Sequence, residues 1–222
     1  MATSFADDRA EPAVRGFLHE PAEPNGDAFL LTHGAGANCQ SNLLIAVSSV
    51  LAGAPRFTVL RFDLPFRQQR PHGPPAFDGA ARDRDGIRRA ISLMKEKVRG
   101  RVFLGGHSYG GRQASMLVAE EPQLADGLLL LSYPLHPPRK PAELRTGHFS
   151  KLTKPTLFVH GTRDPFGSVE EMQAALELIP CPHRLVEIDR AGHDLLGKGD
   201  SNDLAAHIAR EFGAFMSSLK SA

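Results

Sequence analysis

RVFLGGHSYGG, residues 101–111, is predicted to form a strand that runs into a sharp turn. The apolar run at residues 102–104 stops at glycines, and a helical pattern follows the turn. Ser108 lies between Gly106 and Gly110, which places the pattern Gly-x-Ser-x-Gly between a strand and a helix. Such a tight turn strains the serine backbone, and the two glycines leave room for it. We therefore predict that Ser108 is a nucleophile held above the end of a strand.

The rest of the chain alternates predicted strands with predicted helices. Strands are predicted at residues 14–19, 28–32, 56–62, 102–104, 127–131, 155–159 and 183–188, and helices at 41–51, 80–98, 112–120, 169–178 and 202–219. Several strands are apolar throughout, which is typical of a parallel sheet covered by helices on both faces. The chain shows no internal repeat and no linker, so we predict one α/β domain over residues 1–222, with a flexible tail at residues 1–12.

Three predicted strands lead to residues that could act together in catalysis. They are followed by Ser108, Asp164 and His193, in that order along the chain. Ligands of parallel sheets bind beyond the carboxyl ends of the strands, so these side chains are expected to meet there. A serine hydroxyl needs a base, which His193 would provide, while Asp164 would orient the imidazole. Taken singly, Asp164 could be a turn residue and His193 a surface histidine. Their order and spacing favour a catalytic triad.

An oxyanion hole requires backbone N–H groups that point at the developing negative charge. The Tyr109 N–H, directly after the nucleophile, is one candidate. The sequence His-Gly-Ala-Gly at residues 33–36 follows a strand, and we assign the second donor to the Ala35 N–H. This loop has neither a Gly-Lys-Ser/Thr ending nor the spacing Gly-x-Gly-x-x-Gly, so we do not expect it to bind a nucleotide.

Five further residues with titratable side chains lie near these motifs, and we assign none of them a catalytic role. Asp189 and Asp194 are alternative acids, but neither follows the penultimate strand. His33 and His107 lie inside the glycine motifs, and we interpret both as structural rather than as acid–base groups. Cys39 opens a predicted helix, where its thiol pKa could fall, although a buried small side chain is the preferred interpretation.

Two proline-rich segments are predicted to be irregular loops near the site, at residues 67–77 and 133–152. The first carries three basic side chains, at Arg67, Arg70 and His72. We interpret them as a solvated loop, with an anionic-substrate patch as the alternative. Arg112, one turn into the helix after Ser108, is interpreted as the partner of a core carboxylate, and contact with a substrate acid is the alternative.

Composition narrows the classes of function. The chain has 222 residues, 41% of them hydrophobic and 23% charged, which is ordinary for a globular domain. A formal net charge of +1 argues against a general nucleic-acid binder. The two cysteines, Cys39 and Cys181, lie far apart, so we expect neither a zinc site nor a disulfide framework. No secretory signal or membrane-spanning run is visible, so we predict a cytoplasmic location and no membrane partner.

The chain resembles the α/β-hydrolase superfamily from about residue 28 to residue 215. Four motifs carry the resemblance: LTHGAGA (31–37), GGHSYGGR (105–112), LSYPLH (131–136) and LFVHGTRD (157–164). They are similar to a narrower group that includes testis-expressed protein 30, the third subunit of the NSL chromatin complex and bacterial dienelactone-hydrolase-like proteins. The resemblance implies an α/β-hydrolase fold. Its cap would be minimal or absent, because the segment where relatives insert a helical cap is short here.

Two functions follow from these observations. The first is a serine hydrolase that cleaves a small carboxylic ester or thioester through Ser108, His193 and Asp164, by way of an acyl-enzyme. It needs no cofactor and no metal, and its partner is a small-molecule substrate. The alternative is a hydrolase-fold interaction module with a vestigial site, since some eukaryotic relatives look like assembly subunits. The acyl group, the leaving group, hydrolysis versus acyl transfer and the oligomeric state stay open.

Overall fold

A computed structural model of the protein describes residues 2–76, 78–196 and 200–219. It contains the strands β1 (Ala2–Asp7), β2 (Val14–His19), β3 (Ala28–Thr32), β4 (Thr58–Asp63), β5 (Val102–His107), β6 (Gly127–Leu131), β7 (Thr156–Gly161) and β8 (His183–Ile188). The helices are α1 (Asn42–Gly53), α2 (Pro65–Gln69), α3 (Ala80–Lys97), α4 (Tyr109–Glu120), α5 (Val169–Leu176) and α6 (Ser201–Ser218). Short 3-10 turns occupy Pro122–Leu124 and Phe149–Lys151.

The eight strands form one sheet in the order β1-β2-β4-β3-β5-β6-β7-β8. The β1–β2 and β2–β4 pairs are antiparallel, and all pairs among β3 to β8 are parallel. Every residue of β3, β6 and β7 is buried, because helices cover both faces of the sheet. α3, α4 and α5 pack on one face, and α1 and α6 pack on the other. The predicted α/β fold is confirmed.

The prediction of a flexible tail at residues 1–12 is wrong for the segment that forms β1. All six residues of β1 pair with β2 at the edge of the sheet. Phe5 packs against the core, and Asp7 is buried in an ion pair with Arg89 at 2.9 Å. An edge strand buries few side chains, so β1 mixes polar and small residues and lacks the continuous apolar signal of the central strands. Met1 lies outside the described residues.

Two other segments border the carboxyl end of the sheet. Residues 67–69 were expected to be irregular, but they belong to α2. This helix begins at Pro65, a residue type that is favoured in the first turn of a helix. Residues 132–155 contain a single 3-10 turn and no longer helix, so no helical cap is inserted between β6 and β7. Within the described parts of the chain, no helix combines the length and the apolar character needed to span a bilayer.

Candidate active site

Ser108 occupies the sharp turn between β5 and α4. Its φ of 51° and ψ of −116° lie outside the conformations that most L residues adopt, and its N–H donates to the Leu131 carbonyl at 2.8 Å. A Cβ atom on Gly106 would lie 2.7 Å from the backbone carbon of Gly110. A Cβ atom on Gly110 would lie 2.5 Å from the His33 carbonyl oxygen. Both glycines are therefore required by close backbone packing around the turn, as the sequence predicted.

The structure brings Ser108, His193 and Asp164 into one hydrogen-bonded chain. His193 Nε2 lies 2.7 Å from Ser108 Oγ. His193 Nδ1 lies 2.8 Å from Asp164 Oδ2 and 3.0 Å from Oδ1. When the serine hydroxyl donates to Nε2, the imidazole proton is on Nδ1 and is held by the carboxylate. Asp189 and Asp194 are both exposed, and neither forms a hydrogen bond with His193 in the described structure.

Several side chains fix this arrangement. The Asp164 side chain is fully buried, and its Oδ1 also accepts the Phe166 N–H at 2.9 Å. The Phe166 ring stacks on the His193 ring with 4.1 Å between centroids. His107 Nε2 donates to the His193 carbonyl oxygen at 2.7 Å, so the loop that contains His193 is tied to the turn that contains Ser108. Burial lowers the pKa of His107, which keeps it a neutral structural donor.

Ser108 opens into a cleft of about 470 Å³ that Ala35 and Tyr109 also line. The loop that contains Ala35 passes close to Ser108, since a Cβ atom on Gly34 would lie 3.3 Å from Ser108 Cβ. Within the described residues, no acceptor takes the Ala35 N–H. Both predicted oxyanion donors thus belong to residues beside Ser108. The remaining walls are mainly apolar, with contributions from Pro75, Ala76, Ala80, Pro134 and Phe166.

Arg67 is buried, so its interpretation as part of a solvated loop is wrong. Its Nε donates to the Ala37 carbonyl at 2.7 Å, and its Nη2 donates to the Ala35 carbonyl at 2.7 Å and to the Gly73 carbonyl at 3.0 Å. Its Nη1 donates to the Arg70 carbonyl at 3.1 Å. The guanidinium therefore joins the Ala35 loop to residues 70–73. These contacts could not be predicted from the sequence, because the acceptors are backbone carbonyls.

His33 and Cys39, which lie before and after Ala35 in the chain, have structural rather than catalytic surroundings. His33 is fully buried, and its Nε2 accepts the Leu64 N–H at 3.1 Å while Nδ1 donates to the Gly34 carbonyl at 2.9 Å. Burial lowers its pKa, so the neutral form is favoured. Cys39 is also buried, and burial together with the Asp63 carboxylate raises its thiol pKa to about 12. A reactive thiolate at Cys39 is therefore disfavoured.

Arg112 and Arg145 also line the cleft into which Ser108 opens. Within residues 2–76, 78–196 and 200–219, neither forms an ion pair with a carboxylate, so the preferred interpretation of Arg112 as the partner of a core acid is wrong. The buried Nε of Arg112 has no acceptor in that part of the chain. Sequence reasoning missed Arg145 and Phe166, because neither lies in a recognisable motif.

Arg70 and His72 are exposed, as expected for a surface loop. Phe77, the last residue of that predicted loop, lies outside the described residues. Among the residues the structure describes, no cluster of three or more His, Cys, Asp or Glu side chains could hold a metal ion.

One family profile, described as Alpha/beta hydrolase domain, matches residues 25–217. The chain belongs to this alpha/beta hydrolase family. The match runs from β3 to α6 and includes Ser108, Asp164 and His193. Membership of the narrower group suggested by the four sequence motifs stays a prediction.

Solved structures with the same fold include several hydrolases. A dienelactone hydrolase from Anabaena variabilis has a TM-score of 0.76 at 23% identity, covering 96% of this chain and 97% of that chain. Est1E from Butyrivibrio proteoclasticus, solved with ferulic acid bound, has a TM-score of 0.77 at 17% identity, with 96% and 99% covered. A serine hydrolase without a lid from Xanthomonas campestris has a TM-score of 0.69 at 16% identity, with 95% and 94% covered. At these identities the similarity concerns the fold.

Proposed function

We propose that the protein is a serine hydrolase that cleaves a small carboxylic ester or thioester. The observation that carries this proposal is the continuous chain of hydrogen bonds from Ser108 Oγ through His193 to Asp164, at 2.7 and 2.8 Å. A serine hydroxyl is a weak nucleophile unless a base takes its proton, and this geometry supplies the base and the group that orients it. The strained turn at Ser108 is expected where a nucleophile must be presented to a substrate.

The reaction would proceed in two steps. Ser108 Oγ attacks the carbonyl carbon while His193 Nε2 takes the hydroxyl proton. The N–H groups of Ala35 and Tyr109 stabilise the oxyanion, and His193 returns the proton to the departing alcohol or thiol. Water then attacks the acyl-enzyme, His193 accepts its proton, and the acid is released with Ser108 restored. Asp164 keeps the Nδ1 proton in place and stabilises the imidazolium throughout.

The cleft supports a substrate of limited size. Its volume of about 470 Å³ lies in the range of small-molecule sites, and no helical cap from residues 132–155 closes over it. The names of the structural relatives agree with this class: a dienelactone hydrolase and a serine hydrolase without a lid share the fold.

A fluorophosphonate probe tests whether Ser108 is activated. The purified protein is treated with the probe, and the modified peptide is identified by mass spectrometry. We expect labelling at Ser108, loss of labelling in Ser108→Ala, and a decrease of at least about 10³-fold in the labelling rate of His193→Ala. Panels of 4-nitrophenyl esters and acyl thioesters then define the leaving group. Ser4→Ala, on the exposed edge strand, is the matched control and should label like the wild type.

The result that would overturn the proposal is folded protein that neither reacts with the probe nor cleaves any ester or thioester. In that case the interaction-module alternative would be favoured, and Ser108→Ala would leave partner binding unchanged.

A further inference from the structure

The cleft beside Ser108 has two arginines that the triad does not use. Arg112 follows Ser108 by one helical turn, since its N–H donates to the Ser108 carbonyl at 2.9 Å. Arg145 comes from the loop between β6 and β7, and both side chains are half-buried. The net charge of the whole chain is only +1, so this pair is not a consequence of a generally basic surface.

The pair lacks neutralising partners in the described part of the chain. Glu143, which lies near Arg145, is exposed and forms an ion pair with Lys140 at 2.9 Å. The buried Asp83 accepts the Phe66 N–H at 3.0 Å and the Tyr109 hydroxyl at 2.7 Å. Neither carboxylate is therefore committed to the arginines.

The arginines also act on each other. Burial and the charge of Arg112 lower the pKa of the Arg145 guanidinium. A pair of like charges that are half-buried raises the free energy of the empty cleft, and a bound anion would relieve that repulsion.

A second donor points to the same conclusion. Gln113, which lines the cleft, is fully buried and its Oε1 accepts from Arg84 Nη1 at 3.0 Å. That bond fixes the amide orientation and leaves Nε2 without an acceptor within the described residues, as is also true of Arg112 Nε. Buried donors are nearly always paired in folded proteins. Arg145 Nη1 donates to the Pro134 carbonyl at 3.4 Å. The buried donors of Arg112 and Gln113 stay without acceptors in the described residues, and a ligand rich in acceptors would complete them.

We propose that Arg112 and Arg145 form an anion subsite, and that the substrate is an ester or thioester with a carboxylate or phosphate group a few bonds from the scissile carbonyl. A guanidinium matches both groups with paired, charge-assisted hydrogen bonds. Arg112 lies one helical turn after Ser108, and a turn rises about 5.4 Å. This spacing limits the distance between the scissile carbonyl and the anionic group of the substrate. This inference rests on the proposed hydrolysis at Ser108.

Matched substrate pairs test the subsite and locate the anion. On the acyl side, 4-nitrophenyl hydrogen glutarate is compared with its methyl ester, after subtraction of uncatalysed hydrolysis. On the leaving-group side, 4-acetoxyphenyl phosphate is compared with 4-methoxyphenyl acetate. We expect the anionic member of one pair to have a kcat/KM about 10- to 100-fold higher, which is the effect of one or two charged hydrogen bonds.

Variants assign the preference to the two arginines. Arg112→Met and Arg145→Met should each reduce the anionic preference, which is the ratio of kcat/KM for the anionic ester to that for its neutral partner, about 10-fold. Arg112→Lys should restore part of the preference, because the charge is kept and the paired geometry is lost. Arg99→Met is the control, since Arg99 is exposed at the opposite end of the sheet. Arg145 lies in a loop, so its variant serves if a substitution in α4 prevents folding.

The outcomes separate the two proposals. Equal rates for charged and neutral substrates, or equal losses for both in the arginine variants, would overturn the subsite while hydrolysis stands. If Ser108 does not react at all, calorimetric titration with glutarate and with inorganic phosphate decides the subsite independently. Binding that Arg112→Met abolishes would support it, and no binding of either anion to wild type would reject it.

Discussion

The residues on two sides of Ser108 differ in how many of their polar atoms have hydrogen-bond partners within the protein. On the triad side, formed by His107, Asp164, Phe166 and His193, each polar group that touches the histidine is paired and the ring is stacked. On the arginine side, formed by Arg112, Gln113 and Arg145, two buried donors lack acceptors within the described chain.

This difference suggests that the two sides have separate roles. A catalytic base has to be held in one orientation before the substrate arrives, and a fully paired network provides that order. A binding subsite has to keep its donors available, and unpaired groups cost free energy until a ligand completes them. The triad side would then govern the rate for every substrate, and the arginine side would govern which substrates are preferred.

The largest expected effect comes from breaking the triad side. Asp164→Asn should lower kcat about 10⁴-fold on any ester, because the amide no longer holds the imidazole proton on Nδ1. The measurement is steady-state hydrolysis of a neutral 4-nitrophenyl ester. The matched control is Asp189→Asn, which should keep wild-type kcat, because Asp189 is an exposed carboxylate directly after β8. Retention of more than about a tenth of the activity in Asp164→Asn would show that another acid orients His193.

The next largest effect is expected at Arg67, which differs from Arg112 in its hydrogen bonds. Arg67 donates four hydrogen bonds to carbonyls, whereas Arg112 has no ion-pair partner in the described chain. Arg67→Met should loosen the Ala35 loop and lower kcat about 10- to 100-fold with little change in KM, since one oxyanion donor is then misplaced. The loss should be the same for charged and neutral esters, unlike that of Arg112→Met. Steady-state kinetics on both esters of the glutarate pair measure this.

Arg70→Met serves as the control for Arg67, because its side chain is exposed in the same segment. If Arg67→Met is too unstable to assay, Arg67→Lys tests the same point with the charge retained. A loss confined to the anionic ester would contradict the role assigned to Arg67 and place it in the substrate subsite.

The smallest effect concerns His148, whose Nε2 lies 2.8 Å from Ser115 Oγ. Burial and then the charge of Arg112 lower the pKa of His148 from 6.5 to about 4. Between these values the unfolded chain binds a proton that the native protein does not. Stability should therefore fall as the pH is lowered through this window. The free energy of unfolding should decrease by roughly 1–3 kcal/mol less in His148→Gln than in the wild type when the pH is lowered to 4.

Thermal unfolding of wild type and His148→Gln from pH 7 to pH 4 measures this difference. His19, whose pKa is also lowered to about 4 by burial, contributes a similar slope in both proteins and is the internal reference. Parallel curves for the two proteins would show that His148 is protonated in the native state.

Much of the site was predictable because it depends on local order in the chain. The sharp turn at Ser108 is predicted from neighbouring residues alone: the apolar strand, the two glycines around the serine and the helix after it. Parallel strands bring their carboxyl ends to the same edge of the sheet, so Asp164 and His193 could be placed beside Ser108 from their positions after strands. The oxyanion candidates follow from the same reasoning.

Features that failed or were missed depend on residues distant in the chain. Strand β1 is stable because its backbone pairs with β2, which polar side chains at an edge do not reveal. Arg67 and Arg112 are both arginines near glycine-rich segments, and nothing local distinguishes them. Arg67 is surrounded by backbone carbonyls of two loops, and Arg112 faces a cleft with Arg145.

The amino-acid sequence thus specified the α/β fold, the strained serine turn and the placement of Ser108, Asp164 and His193 after successive strands, since each follows from local pattern and strand direction. The folded chain was needed to show which charged side chains are satisfied. Pairing of a buried charge depends on the acceptors that distant segments bring within about 3 Å, and those neighbours exist only after the sheet, the helices and the loops have packed together.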